Sequence, residues 1–227
     1  MAIMRGLVLR YAVRAALLVM VVTTARPSRG ADAPAARGPV PPSDTVLVSG
    51  QGRYALGAAR ARAVVEEFGD YQCPFCRRFH ERIFPQLKAD YVDTGKVRYV
   101  VRDLPLDMHS EAFAAAEAAR CAGAAGKFWV MRDALLKEGG AMDRSRLVAL
   151  ARGAGVPAGT FRACLDQHRF AAAIRRDVAE AASAGIHATP SFVIGRAGPK
   201  GVTGLRVRGA PSYGALAQRI EEALRTP

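Results

Sequence analysis

Two cysteines separated by two residues, Cys73-Pro74-Phe75-Cys76, carry the clearest capacity for chemistry in this chain. The apolar, β-branched run Ala63-Val64-Val65 leads toward them and a helical pattern follows. The segment therefore reads as strand, short loop, and a dithiol at the first turn of a helix. Unpaired backbone N–H groups and the positive end of the helix dipole favour an anion at that place, so Cys73 is positioned to be a thiolate. Pro74 falls where its missing donor costs little. Two intervening residues leave the sulfurs close enough for an easily reduced disulfide. A Cys-x-x-Cys can also be half of a zinc site, but no second pair stands at ligand spacing. It can anchor a c-type haem, but Arg77 occupies the histidine position of that motif. Redox exchange is the expectation, with no metal site and no cofactor.

The surrounding elements follow from periodicity. Ala63 to Phe68 reads as a central strand, and Glu67 near its end is costly to bury without a partner or a task. From Pro74 to Tyr91, apolar residues recur at three- and four-residue steps, which predicts one amphipathic helix kinked at Pro85. Arg77, Arg78 and His80 in its first turns either add positive potential near Cys73 or form a solvated face. Asp70 and Gln72 shape the loop. Val97 to Arg102 is the next strand, and the helix between two such strands implies a parallel βαβ pair. Met108 to Gly185 reads helical almost throughout, with an Asp143 N-cap and glycine punctuation. Its one tryptophan, Trp129, either packs in the core or lines a groove. Ser191-Phe192-Val193-Ile194 is strand-like with Pro190 at its entry, where proline is permitted and an X-Pro bond can be cis. Gly204 to Gly209 supplies a hairpin partner, Tyr213 to Leu224 a last helix, and Val46-Leu47-Val48 a short edge strand.

Glu67 through Cys76, read with Thr189-Pro190, resembles the thioredoxin-fold thiol oxidoreductases of the DsbA type. Val97 to Leu106, Ala118-Ala119-Arg120-Cys121-Ala122 and Gly126-Lys127-Phe128-Trp129 are similar to the branch with an all-helical insertion. The likeness runs from about Ala63 to Leu224. It implies an α/β thioredoxin fold, a central mixed sheet flanked by helices, with an inserted helical subdomain at about 107–185 of a domain covering 46–227. It implies Cys73 as attacking thiol, Cys76 as resolving thiol, and Pro190 as a cis-proline against the disulfide. Thr189 would offer its backbone to an extended client, beside Pro74 and Phe75. Glu67 takes the place of a buried acid that relays protons for the resolving thiol, its pKa raised by desolvation. The alternative turns Glu67 to solvent and Glu66 inward. Phe75 departs from the histidine of the strongest oxidant in the family, which leaves the redox poise open.

Residues 1–30 carry five arginines and no acid around the apolar run Ala15 to Val22, the pattern of a signal peptide. The run is shorter than the ~20 residues of a membrane span, so an uncleaved anchor is the lesser alternative. Residues 31–45 read as a disordered Pro/Ala-rich leader, too short ahead of Ala63 for a dimerisation domain, so a monomer is expected. Export to the periplasm or beyond permits disulfides. Cys121 and Cys164, in alanine- and leucine-flanked helical contexts, are then expected to bond each other; two buried free thiols are the alternative. The net charge of +13 invites a nucleic-acid reading, yet no zinc-finger spacing, arginine-rich tract or aromatic-interleaved basic patch exists. Solubility or attraction to anionic surfaces accounts for the charge. Three functions follow: an oxidase that introduces disulfides into reduced clients and is reoxidised by a quinone-linked membrane partner; a reductase or isomerase kept reduced by a membrane donor; or a module gripping Cu(I).

Overall fold

The structure, a computed structural model, describes residues 44–49 and 54–225. In chain order the strands and helices are β1 (Thr45–Val48), β2 (Tyr54–Leu56), β3 (Ala63–Gly69), α1 (Pro74–Arg82), α2 (Phe84–Leu87) and β4 (Val97–Asp103). Five helices follow, α3 (Ala112–Ala124), α4 (Phe128–Glu138), α5 (Arg144–Gly153), α6 (Ala158–Asp166) and α7 (Ala171–Ser183). The chain then closes with β5 (Ser191–Gly198), β6 (Gly201–Arg208) and α8 (Tyr213–Arg225). The sheet order is β1-β6-β5-β3-β4-β2. β3 runs parallel to β4, with Gly69 opposite Asp103, and antiparallel to β5, with Phe68 opposite Ser191. The central position of β3 thus brings the end of the βαβ unit, where the dithiol sits, against the start of β5, where Pro190 sits.

Both faces of this sheet are covered. Val65 packs with α1, α8 and the helical subdomain, whereas Val64 and Phe68 pack with Ala181 and Ala184 at the end of α7. Side chains alternate along a strand, so Glu67 joins the first face and Glu66 the second. Both are buried, at 1 % and 0 % exposure. The expected choice between them, one in and one out, does not arise in a sheet with helices on both sides.

Three further differences each have a physical cause. The predicted single helix over Pro74–Tyr91 is broken at Ile83, whose φ is −116°, and resumes as α2 with Pro85 in its first turn. Proline lacks the N–H and crowds the preceding turn, so the chain restarts the helix around it and finishes with a π-turn over Lys88–Val92. β2, a strand the Gly/Arg/Ala-rich connection did not suggest, pairs with the outer edge of β4. Tyr54 in β2 stacks on Phe128 of α4 with ring centroids 3.6 Å apart. The space for Tyr54 exists because residue 123 is glycine: a Cβ there would lie 2.5 Å from its hydroxyl. Residues 44 and 45, assigned to the leader, belong to the fold, since Asp44 accepts from Arg206 at 2.8 Å and Thr45 opens β1. The signal segment and the rest of the leader lie outside the described residues.

The helical subdomain matches its expected elements closely, including Asp143 at the N-cap of α5, where it accepts from the Arg146 N–H at 3.0 Å. A Cys121–Cys164 disulfide joins α3 to α6 across a sequence separation of 43, with Cα atoms 5.9 Å apart. Replacing both by alanine should lower stability by up to ~4 kcal/mol through the freed loop entropy. Urea unfolding of the double variant checks this, alongside thiol counting on denatured, unreduced protein.

Candidate functional site

The turn between β3 and α1 is held by Asp70. Its buried carboxylate accepts from the Gln72 N–H at 2.7 Å, the Leu106 N–H at 2.9 Å and His109 Nδ1 at 2.8 Å. Gln72 is tied in turn to Glu111, which also accepts from the Met142 N–H at 2.6 Å. The loop after β4 and the helical subdomain therefore brace the turn that presents Cys73. Cys73 is the N-cap of α1, with extended backbone (φ −67°, ψ 120°), and Pro74 opens the helix. Hydrogen bonding from the Cys76 thiol outweighs the burial that opposes ionisation. The N–H groups of Cys76 and Phe75 add to it, and the Cys73 thiol falls to about 5. In its protonated form Cys73 donates to the Thr189 carbonyl at 3.3 Å. The Thr189–Pro190 bond is cis, and both residues are buried against the dithiol. Phe75 and Pro74 face outward, Phe75 at 53 % exposure with the Arg78 guanidinium 5.7 Å over its ring.

Cys76 is the opposite case. Burial pushes its thiol well above the ordinary value, and the bond to Cys73 and the Glu67 charge push it further. Glu67 itself differs from expectation. Burial does act to raise its pKa, but His80, Arg132 and Tyr99 overcome this and hold the carboxyl down at about 2. His80 Nε2 lies 3.0 Å from one oxygen, while Arg132 at 2.6 Å and the Tyr99 hydroxyl take the other. Burial and Arg132 lower the His80 pKa while the Glu67 charge raises it, and the Arg132 guanidinium lies 3.1 Å from His80 Nδ1. Arg132 is the permanent cation of the group.

A family model described as Thioredoxin matches residues 49–199. The chain belongs to the thioredoxin family. Among curated proteins, 171 residues are 34 % identical to a Na(+)/H(+) antiporter of Salinispora arenicola, covering 75 % of this chain and 24 % of that one. Over an overlapping stretch of 145 residues the chain is 28 % identical to a protein-disulfide oxidoreductase of Rickettsia prowazekii, covering 61 % of this chain and 53 % of that one. The chain thus spans about a quarter of the first relative and about half of the second. DsbA2 of Pseudomonas aeruginosa superposes with a TM-score of 0.60 at 28 % identity, over 75 % of this chain and 93 % of that one.

Within the thioredoxin-family frame, the structure brings together Cys73, Cys76, Thr189, Pro190, Pro74 and Phe75, with Glu67 behind Cys76. The Cys121–Cys164 pair lies apart from them, in the helical subdomain. Three partners of Glu67 were not anticipated. His80, expected either to add positive potential near Cys73 or to form a solvated face, has a side chain only 7 % exposed because α1 turns it toward β3. Tyr99 was an anonymous strand residue. Arg132 left a trace: it interrupts the apolar stripe Phe128, Met131, Leu135 of α4, and a charge in such a stripe needs a buried counter-ion. Trp129, half-buried, packs against the core edge-on to Phe128 with ring centroids 5.2 Å apart, as the core reading expects, and the Arg132 guanidinium lies 5.6 Å over its ring.

Three outcomes follow. Iodoacetamide alkylation of the reduced protein should show a midpoint near pH 5 at Cys73. Because this folded pKa lies below that of the unfolded thiol, the reduced form should gain stability over the oxidised form as pH rises from about 5 toward 9, and lose it as pH falls through 5. Paired melting curves measure that difference. Glu67→Gln strips buried Arg132 of its carboxylate and should cost about 3–5 kcal/mol in denaturant unfolding.

Proposed function

We propose that this protein is an exported thiol–disulfide oxidase that passes a Cys73–Cys76 disulfide to reduced client proteins. The observation that carries the reading is the opposed tuning of the two sulfurs: Cys73 pulled down to about 5, Cys76 pushed up. A client thiolate attacks Cys73, and Cys76 departs into the interior. The client's second thiol then attacks its own sulfur in the mixed disulfide, and Cys73 leaves readily because its anion is stable. A stable Cys73 anion favours the reduced enzyme, which makes the disulfide form a good oxidant. The cis Thr189–Pro190 segment lies beside Cys73, where an extended client would pair with the Thr189 backbone. Exposed Phe75 and Met108 (81 % exposed) flank the turn and suit apolar client side chains. Met108 is held there because His109 and Leu106 are bonded to Asp70.

Reoxidation requires a membrane partner of quinone-linked type, and monomeric action suits an oxidase. Among the described residues no helix is long and apolar enough to cross a membrane. The reduction potential of the Cys73–Cys76 pair, measured against glutathione, tests the direction. A value well above thioredoxin's, about −270 mV, is expected. A value at or below it would assign the protein to the reductase or isomerase side.

A further inference from the structure

Beneath the dithiol lies a cavity of about 10 Å³, room for one water molecule. Cys76, Glu67, Tyr71, Asp103 and Arg132 are among its walls. Tyr71 is 4 % exposed, and its hydroxyl has no hydrogen-bond partner among the described residues. A buried hydroxyl left so is costly unless a water serves it. Glu67, the acid expected to serve Cys76, is engaged on both oxygens by His80, Tyr99 and Arg132 and stays ionised. Asp103 ends β4 on the cavity wall at 3 % exposure, its other side accepting from Arg120.

We propose that Tyr71 and Asp103 hold a water in this cavity and that the proton of the Cys76 thiol travels through it, making both positioning residues for exchange at Cys73–Cys76. The inference rests on the exchange reading above. When a client thiolate attacks the Cys73 sulfur, the client–Cys73 bond forms and the Cys73–Cys76 bond breaks, its electron pair leaving on the Cys76 sulfur. The client sulfur is oxidised and Cys76 reduced. The Cys76 anion, buried beside the Glu67 carboxylate, takes a proton from the water that the Tyr71 hydroxyl holds in place, and Asp103 returns one to that water. In the reverse direction the proton runs back to Asp103. Burial pushes the Asp103 carboxyl up to about 6, with Arg120 pulling against it and Asp177 adding to it. A group titrating there can both give and take a proton near neutrality. The charges facing it are Arg120 from α3, Asp177 from α7 and its neighbour Arg102; Glu67 and Arg132 stand across the cavity.

Oxidised full-length protein is mixed with a reduced one-cysteine peptide, quenched in acid, and the mixed disulfide is read by mass. Rates are taken from about pH 4 to about pH 8 and corrected for the peptide's thiolate fraction. The wild type should slow as pH rises through about 6, where Asp103 loses the proton it donates. Tyr71→Phe should slow the step by about tenfold or more, and Asp103→Asn should abolish the pH-dependent fall. Neither should move the alkylation midpoint of Cys73. Asp103→Asn also deprives Arg120 of a carboxylate, so if it does not fold the decision rests on Tyr71→Phe, which removes one oxygen that no described protein group bonds and should still fold. Tyr71→Phe with wild-type rate and wild-type pH profile would overturn the proposal. A wild type that forms no mixed disulfide at all would overturn the exchange reading instead.

Discussion

Everything at this site depends on the first turn of α1 bringing the Cys76 thiol, and with it the unpaired N–H groups of Phe75 and Cys76, against a single sulfur. A helix start has donors its own backbone cannot use, and Cys73 occupies the one place from which its sulfur meets them. That arrangement survives only if the turn before it is rigid. Asp70 supplies the rigidity by gathering three donors, two of them from the segment after β4. The loop that carries Met108 and His109 is thereby part of the same unit as the cysteines.

Below the turn, the sheet solves a charge problem on each face. On the α1 side, Glu67 is neutralised by Arg132 from the helical insertion. On the α7 side, Arg102 reaches Glu66 at 3.2 Å and Asp177 at 2.8 Å, while Arg120 joins Asp103 to Asp177. Both groups recruit partners from the insertion, so the insertion is bound to the catalytic sheet by buried ions as well as by apolar packing. Removing one member of such a group strands the others. The two carboxyls nearest neutrality, Glu66 at about 7 and Asp103 at about 6, are the ones on which burial outweighs the available arginines. Glu67, with three partners, went the other way.

How far the chain could be read beforehand depended on whether a signal was local. The βαβ start, the run of helices, the N-cap at Asp143 and the strand entered through Pro190 were all legible, because periodicity, capping and proline act within a few residues. β2 was not, since a three-residue strand carries almost no periodicity and its anchor, Tyr54 on Phe128, joins distant segments. The break at Ile83 was misplaced by two residues for a similar reason: proline announces a disturbance, but packing of Phe84 and Leu87 decides where the helix resumes.

The chain's order of residues by itself determined the dithiol, its place at a helix start, the proline that faces it and the sheet that carries both. Those are short-range matters of donors, dihedrals and alternation. Only the tertiary structure decided the ionisation of what lies underneath, because a buried group's charge is set by every neighbour within a few ångströms, whichever element brings it. Arg132 lies 65 residues from Glu67 along the chain, and their contact at 2.6 Å opposes the rise in pKa that burial by itself would give the carboxyl.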